Sequence, residues 1–196
     1  MRRAALTSRL IEILVVCTGN TCRSPMAAAL LSRRFDDAGV EAVVSSTGIL
    51  FDGKPATDHG IAVMADRGID TSQHRSRKLR AEMVTGADLV IGMAREHVAE
   101  ALAFGSEIWG RAFTLKEIVR LGEEQGAREP GEPLQQWLAR LHEARLQSGR
   151  RPTDLFASSA EDDVADPIGG PRRSYQRTAE ELDDLTARLA RLLGKG

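Results

Sequence analysis

The sequence predicts an α/β fold, a four-stranded parallel sheet of Rossmann-like type with helices on both faces. Short apolar segments of strand length alternate with longer segments of helical periodicity, and this alternation is typical of βαβ units. The first apolar segment also leads directly into a loop that opens a helix, and ligands bind such sheets where the strands end. At 196 residues, 1–196 are expected to form a single domain.

The first half of the chain is expected to supply two strands and two helices. Ile11–Val16 is apolar apart from one residue, which is typical of a buried parallel strand, and Val40–Ser45 is the second strand. Beyond its first residue Pro25–Phe35 contains no helix breaker, so it predicts a helix that ends near Gly39. Thr57–Arg67 predicts a further helix, which a glycine closes.

The second half continues the alternation. Ala87–Met93 is the third strand, followed by a helix from Arg95 to about Ala103. Ile108–Trp109 is interpreted as the start of a fourth strand, ahead of a helix over Phe113–Glu117. The last helix presents one apolar stripe, which is more typical of a core-facing side than of a partner site. The stripe consists of Tyr175, Thr178, Leu182, Leu185, Leu189 and Leu192.

The segment at about 122–159 is interpreted as an atypical insertion in this domain. It is rich in Gly, Pro, Glu and Arg, and a connection of this length is uncommon unless it is disordered or functional. Two interpretations stay open: a surface excursion that packs Trp137 onto the domain, or a lid or docking element for a partner. One amphipathic helix is expected within it, marked by Leu134, Trp137, Leu138 and Leu141.

The chemistry is concentrated in Cys17–Pro25, whose sequence is Cys-Thr-Gly-Asn-Thr-Cys-Arg-Ser-Pro. A loop at a helix N-terminus directs backbone N–H groups inward and binds anions. Cys17, as a thiolate, would attack a tetrahedral oxyanion, and Arg23 would hold two of its oxygens with a planar fork of donors. A cysteine and an arginine at this spacing are a weak signal alone, but the whole string between strand and helix predicts phosphoryl transfer through a cysteinyl-phosphate.

The remaining loop residues have expected supporting roles. Ser24 is expected to donate a hydrogen bond to the sulfur and to be the helix N-cap, with Pro25 at the first helical position. Gly19 would supply a turn conformation that a side chain forbids, and Asn20 would pin the loop backbone. The predicted phosphate-binding residues are Thr18, Gly19, Asn20, Thr21, Cys22, Arg23 and Ser24.

Over most of its length the chain resembles the low-molecular-weight protein tyrosine phosphatases. The resemblance rests on the Cys17–Pro25 loop, on Val44–Gly48 after the second strand, and on Asp166-Pro167 ahead of the last helix. By motif position it implies the following roles: Cys17 as nucleophile, Arg23 as phosphate ligand, Asp166 as general acid, and Ser24, Asn20 and Ser46 as bracing residues.

The general acid has a second argument. A positioned acid that protonates the leaving group is worth about 10²–10⁴-fold in rate. The residues alone leave the choice open between the acidic run 161–163, typical of a solvated loop, and Asp166. Pro167 favours Asp166, because proline restricts the preceding backbone to extended geometry.

Two departures from the family pattern bear on the substrate. Thr21 stands where tyrosine-specific members usually carry an aliphatic residue, and Ile168 stands where they carry an aromatic one. The loop that contains Thr21, the stretch 113–117 and the loop that contains Ile168 together resemble those of the bacterial branch that includes protein-arginine phosphatases. Thr21 would leave space for a planar guanidinium, and Phe51 is the expected apolar wall. Phosphoarginine is therefore favoured over phosphotyrosine, with Thr21, Phe51 and Ile168 selecting the substrate.

Two other function classes stay open. Arsenate reductases resemble this chain in fold and loop, but the thiol-relay kind needs two further cysteines, and this chain has only Cys17 and Cys22. A non-catalytic oxyanion-binding module is disfavoured because such modules typically lose one of the site residues. Here all four are present: Cys17, Arg23, Ser24 and Asp166.

Cysteine usage points to a reducing, cytoplasmic location, since both cysteines lie in the loop and no disulfide framework exists. Cys22 is either a small packed residue or a redox partner that would trap oxidised Cys17 as a disulfide. The N-terminal Met-Arg-Arg resembles the start of a signal peptide, but the apolar stretch is short, contains Glu12 and leads into the loop, so a cleaved leader is not expected.

The expected partner is a phosphorylated protein or peptide. A net charge of −1 gives no electrostatic case for nucleic acid or an anionic membrane. The four histidines have no metal-ligand spacing, so neither a metal nor a cofactor is expected, and the oligomeric state stays open.

Overall fold

The computed structural model describes residues 10–194, so the N-terminal Met-Arg-Arg lies outside the described residues. The sheet has four parallel strands in the order β2-β1-β3-β4, which confirms the predicted fold class. The last residues of β1 and β2, Cys17 and Gly48, are paired in register. The strands are β1 (Ile11–Cys17), β2 (Ala42–Gly48), β3 (Leu89–Gly92) and β4 (Ala112–Thr114).

Seven α-helices connect and cover the strands within the described residues. None of these helices is long and apolar enough to cross a bilayer. Two short 3₁₀ helices, Ser106–Arg111 and Pro152–Phe156, complete the structure. The α-helices are α1 (Arg23–Ala38), α2 (Asp58–Ala65), α3 (Ala81–Gly86), α4 (Arg95–Leu102), α5 (Leu115–Gln125), α6 (Leu134–Gln147) and α7 (Arg172–Leu193).

Strand β1 divides the core in two because successive side chains of a strand point to opposite faces. Ile13 and Val15 belong to the core cluster formed with α1, α5, α6 and α7. Leu14 and Val16 belong to a second cluster, which α3 and α4 complete. Helices therefore cover both faces of the sheet, as predicted.

The predicted start of the fourth strand was wrong. Ile108–Trp109 lies in a 3₁₀ helix, and β4 begins at Ala112. The predicted helix over Phe113–Glu117 begins instead at Leu115, after a capping box in which Thr114 and Glu117 satisfy each other's backbone N–H groups. A strand of three residues is too short to show a period in the sequence.

The start of α1 also differs from the prediction. The helix begins at Arg23, and its N-cap is Cys22, which makes no side-chain capping bond. Ser24 is therefore not the N-cap, and its hydroxyl is free to face the loop. At the other end Gly39 adopts a left-handed conformation with φ of 67°, and this ends the helix where the sequence predicts.

The segment at 122–159 contains α6, which packs against the core cluster of β1 and α1. Trp137 is fully buried, and its indole N–H donates to the carbonyl of Gly126 at 3.0 Å. Arg145 is also fully buried, with its guanidinium 3.5 Å from the ring centroid of Trp109 and 4.2 Å from that of Phe113. These contacts agree with the interpretation that the segment packs Trp137 onto the domain.

Candidate active site

The Cys17 loop lies at the carboxyl ends of the parallel strands, directly against the end of β2. A Cβ atom on Gly48 would lie 2.6 Å from the backbone nitrogen of Asn20 and 2.8 Å from the carbonyl carbon of Gly19. Only a residue without a side chain permits this approach of the two backbones. Gly48 thereby allows the loop to pack directly against the end of β2.

The sulfur of Cys17 is buried and is surrounded by donors. The backbone N–H of Asn20 donates to it at 3.2 Å, and the Ser24 hydroxyl lies 3.0 Å away. Ser24 Oγ also accepts from Asn20 Nδ2 at 2.9 Å and lies 3.3 Å from the Thr47 carbonyl. The Ser24 hydroxyl can donate a hydrogen bond to the sulfur when Cys17 is a thiolate.

Asn20 connects the loop to two neighbouring segments. Its amide nitrogen donates to Ser46 Oγ at 2.9 Å, and its side-chain oxygen accepts from the backbone N–H of Arg77 at 2.8 Å. The left-handed residue of the loop is Asn20, with φ of 51°, and Gly19 does not adopt that conformation. The expectation for Gly19 was therefore wrong, since asparagine tolerates the geometry.

Arg23 is 5% exposed and makes contacts on both sides of the loop. One terminal nitrogen donates to the Val164 carbonyl at 3.2 Å. The other donates to Thr18 Oγ1 at 3.0 Å and to Asp166 Oδ2 at 2.5 Å. The second carboxylate oxygen of Asp166 accepts from the backbone N–H of Ile168 at 3.1 Å, which orients the side chain towards Arg23.

The acidic run before Asp166 has a different role from the expected solvated loop. Asp162 is 1% exposed and receives hydrogen bonds from Arg95, Arg120 and Arg150. Burial alone would raise the pKa of Asp162, but Arg95 and Arg150 outweigh it and lower the pKa. The carboxylate of Asp163 accepts the backbone N–H groups of Arg95 and Ser159, each at 2.8 Å.

These bonds fix the start of the segment that carries Asp166. The backbone N–H of Val164 also donates to the Met93 carbonyl at 2.8 Å, so the segment is attached to the end of β3. Of the acids that the sequence left in contest, Asp166 is the one whose carboxylate contacts Arg23.

Two histidines, His97 and His74, contact the loop. His97 is fully buried, with Nε2 3.0 Å from Thr18 Oγ1, and burial followed by the charge of Arg23 lowers the pKa of His97 to about 3. Nε2 of His74 donates to the Asn20 carbonyl at 2.7 Å, and burial lowers the pKa of His74. Both side chains reach the loop from segments distant in sequence, so no local pattern marks them.

Thr21 and Phe51 share a cleft of about 540 Å³ beside the loop. A Cβ atom on Gly19 would lie 3.2 Å from Thr21 Oγ1 and 3.4 Å from Phe51 Cδ2, so the two side chains converge there. Tyr175, expected only as a core residue, is 3% exposed and also lines this cleft. Ile168 is 55% exposed and is not among the residues that line it.

Cys22 is 3% exposed, and both cysteines are free thiols in this structure. Burial, then the charges of Asp166 and Cys17, raise the pKa of Cys22 to about 12, so it stays protonated at neutral pH. Across residues 10–194, no three His, Cys, Asp or Glu side chains come together as a metal site requires.

Comparisons with known proteins identify the family of this chain. The family described as low molecular weight phosphotyrosine protein phosphatase matches residues 12–145. A protein-arginine-phosphatase of Geobacillus stearothermophilus is 34% identical over 183 residues, which cover 93% of this chain and 95% of that protein.

Two solved structures extend the likeness. The low molecular weight protein tyrosine phosphatase from T. tengcongensis has a TM-score of 0.69 and 32% identity, covering 93% of this chain and 99% of that one. A mutant of the YwlE arginine phosphatase with a phosphorylated active-site serine has a TM-score of 0.67 and 30% identity, covering 92% and 94%. The family match spans more than half of the chain, and the arginine phosphatase is similar over nearly all of it. This chain therefore belongs to the low molecular weight phosphotyrosine protein phosphatase family.

Proposed function

We propose that this member of the family hydrolyses phosphoarginine in proteins through a cysteinyl-phosphate intermediate. The observation that carries the proposal is Thr21, a small polar residue that is 8% exposed and converges with Phe51 beside the loop. A larger aliphatic side chain there would take the space that a planar guanidinium needs. The likeness to an arginine phosphatase along 93% of the chain supports the same substrate.

In the first step the phosphoryl group binds to the loop N–H groups and to Arg23. The Cys17 thiolate attacks phosphorus, and the P–N bond to the substrate guanidine breaks. Asp166 donates its proton to the leaving nitrogen, which departs as arginine. Asp166 Oδ2 lies 2.5 Å from Arg23, which places the carboxyl beside the phosphate ligand. Asp166 would donate in its protonated form, once the phosphoryl group has replaced it on Arg23.

In the second step the Asp166 carboxylate takes a proton from water, and the resulting hydroxide oxygen attacks phosphorus. The P–S bond breaks, which releases inorganic phosphate and regenerates the Cys17 thiolate. The Ser24 hydroxyl, 3.0 Å from the sulfur, would stabilise that thiolate by donating a hydrogen bond.

Phosphotyrosine is the second candidate substrate. The cleft beside Thr21 includes the rings of Phe51 and Tyr175, and aromatic walls favour a phenyl ring. Loss of a phenol would use the same Asp166 proton. The two candidates differ in the group that lies against Thr21.

The test is phosphate release from two peptides of the same sequence, one with phosphoarginine and one with phosphotyrosine. Cys17→Ser, which lacks the nucleophile, is the blank. Faster turnover of the phosphoarginine peptide is the expected result. Faster turnover of the phosphotyrosine peptide would make phosphotyrosine the substrate. Phosphate release from neither peptide above the blank would favour arsenate reduction or a non-catalytic oxyanion-binding role.

We further propose that 1–196 work as one phosphatase domain in the cytoplasm and act on a phosphorylated protein or peptide without nucleic acid, metal or cofactor. The burial of Trp137 and Arg145 of the insertion supports a single domain. A reducing location would suit the free Cys17 thiol that the chemistry needs.

A further inference from the structure

A second cleft, of about 480 Å³, borders the loop and has no lining residue in common with the cleft at Thr21. Thr18, Arg23 and Asp166 line it together with Glu96 of α4 and Phe156 of the insertion. The phosphate loop therefore contributes residues to two clefts, Thr21 to the first and Thr18 and Arg23 to the second.

We infer that this second cleft binds the polypeptide next to the phosphorylated residue and selects segments that carry a lysine or arginine and an apolar side chain. The inference rests on the proposed function, since it concerns a further subsite of the same active site. It also assigns a role to the insertion, which supplies one wall of the cleft.

Phe156 provides the apolar side of the argument. It is 84% exposed, whereas its neighbour Leu155 is 6% exposed and packs into the core cluster of α3 and α4. An apolar side chain exposed to water gains free energy when it is buried against another apolar group. An apolar side chain of a bound peptide would cover the Phe156 ring.

Contacts of the residues just before Phe156 fix its position. Arg150, just before the 3₁₀ helix, bonds the buried Asp162, and Asp154 within it accepts the backbone N–H of Arg151 at 2.7 Å. Arg95 of α4 donates to Asp162 at 2.8 Å and to the Asp154 carbonyl at 3.5 Å. The exposed ring is therefore held at the rim of the cleft by contacts elsewhere in its own segment.

Glu96 provides the charge. Its side chain is 64% exposed, and its polar contacts are Thr18 Oγ1 at 3.5 Å and the neutral His97 ring at 3.3 Å. Among the residues that the structure describes, no lysine or arginine forms a salt bridge with Glu96, in contrast to Asp166, which pairs with Arg23. The cleft thus presents an uncompensated carboxylate beside an apolar ring, which complements a basic and apolar peptide.

The test uses two phosphopeptides with the same phosphorylated residue, one flanked by leucine and lysine and the other by serine and glutamate. The readout is the ratio of their kcat/KM values. We expect the wild type to favour the leucine and lysine peptide by about tenfold, because one apolar contact and one exposed charge pair together contribute about that factor. Phe156→Ala should lower the ratio about threefold to fivefold.

Glu96→Lys gives an independent readout because it changes the charge and retains Phe156. It should lower the ratio further than Phe156→Ala, by improving hydrolysis of the peptide with glutamate relative to the other peptide. Leu146→Ala is the matched control, since Leu146 is 50% exposed on α6 and does not line the cleft. It should keep the wild-type ratio.

The outcomes separate the inference from the proposed function. Hydrolysis of both peptides with a ratio that neither Phe156→Ala nor Glu96→Lys changes would overturn the inference and leave the phosphatase activity intact. A wild type that releases phosphate from neither peptide, nor from the free phosphorylated amino acid, above the Cys17→Ser blank would overturn both.

Discussion

His97 supports the phosphate loop through Thr18, whose Oγ1 lies 3.0 Å from His97 Nε2 and accepts a hydrogen bond from Arg23 at 3.0 Å. The imidazole is fully buried, and Nδ1 has no hydrogen-bond partner among residues 10–194. Because burial and Arg23 lower the pKa of His97 to about 3, the ring is neutral at physiological pH. The neutral ring can hydrogen-bond to the Thr18 hydroxyl and carries no positive charge that would repel Arg23.

His97 should make the stability of the protein depend on pH below neutrality. In the unfolded chain its pKa is near 6.5, and in the folded protein it is about 3, so the unfolded state takes up the proton first. Stability is therefore full above pH 6.5 and declines as the pH falls towards 3, by about 2 kcal/mol between pH 7 and pH 5.

Urea unfolding at pH 7 and pH 5 measures this decline. We expect His97→Gln to lose about 2 kcal/mol less than the wild type over the interval, since glutamine does not titrate. His59→Gln, at an exposed position, should decline like the wild type. An equal decline in all three proteins would contradict the prediction.

Asp166→Asn should lower kcat by about 10²-fold or more on substrates with a poor leaving group, because asparagine cannot donate the proton. The loss should be smaller on an activated aryl phosphate, whose leaving group needs little protonation. Steady-state kinetics on the two substrate types measures the difference. Asp66→Asn, an exposed acid paired with Arg172, is the control, and identical losses on both substrates would exclude Asp166 as the acid.

Gly48→Ala should lower kcat/KM about tenfold or more and destabilise the fold by about 1–3 kcal/mol, because the new Cβ would push the Asn20 backbone away from β2. Gly86→Ala is the matched control, since a Cβ there meets nothing within 4 Å. Phosphate release and thermal unfolding of both variants provide the comparison. Wild-type kinetics in Gly48→Ala would show that the loop tolerates the displacement.

Thr21→Ile should raise activity on phosphotyrosine relative to phosphoarginine by about tenfold, since one extra carbon in an enclosed site discriminates by about that factor. The reason is the shape of the site beside Gly19 and Phe51, where the isoleucine would occupy the space of the guanidinium. Thr21→Ser, which keeps a small hydroxyl side chain, should retain the wild-type preference. Equal losses on both substrates would remove Thr21 from the selection of substrate.

Cys22 is predicted to protect Cys17 from irreversible oxidation. Peroxide converts Cys17 to a sulfenic acid, which the Cys22 thiolate attacks to form a disulfide and release water; because the pKa of Cys22 is about 12, this step should be faster at alkaline pH. Intact mass after mild peroxide should show the loss of two hydrogens, and reductant should restore activity. In Cys22→Ser activity should be lost irreversibly. Over-oxidation of Cys17 in the wild type while Cys22 stays free would contradict the prediction.

The sequence determined those features that depend on neighbours along the chain. The apolar run of β1, the turn residues after Cys17 and the absence of helix breakers in α1 specify strand, loop and helix in consecutive residues. Pro167, next to Asp166, favoured Asp166 over the neighbouring acids as the predicted general acid. Where the local signal was too short, as at Ile108–Trp109, the prediction was wrong.

Tertiary structure decided which distant side chains reach the loop. His97, His74 and Gly48 come from three different segments: the packing of α4 brings His97 to Thr18, the register of the sheet brings Gly48 to Asn20, and the loop before α3 brings His74 to Asn20. The acidic run became a buried anchor because Arg95, Arg120 and Arg150 converge on Asp162. Such convergence depends on the packing of whole elements, whereas a sequence pattern records only the spacing of residues along one of them.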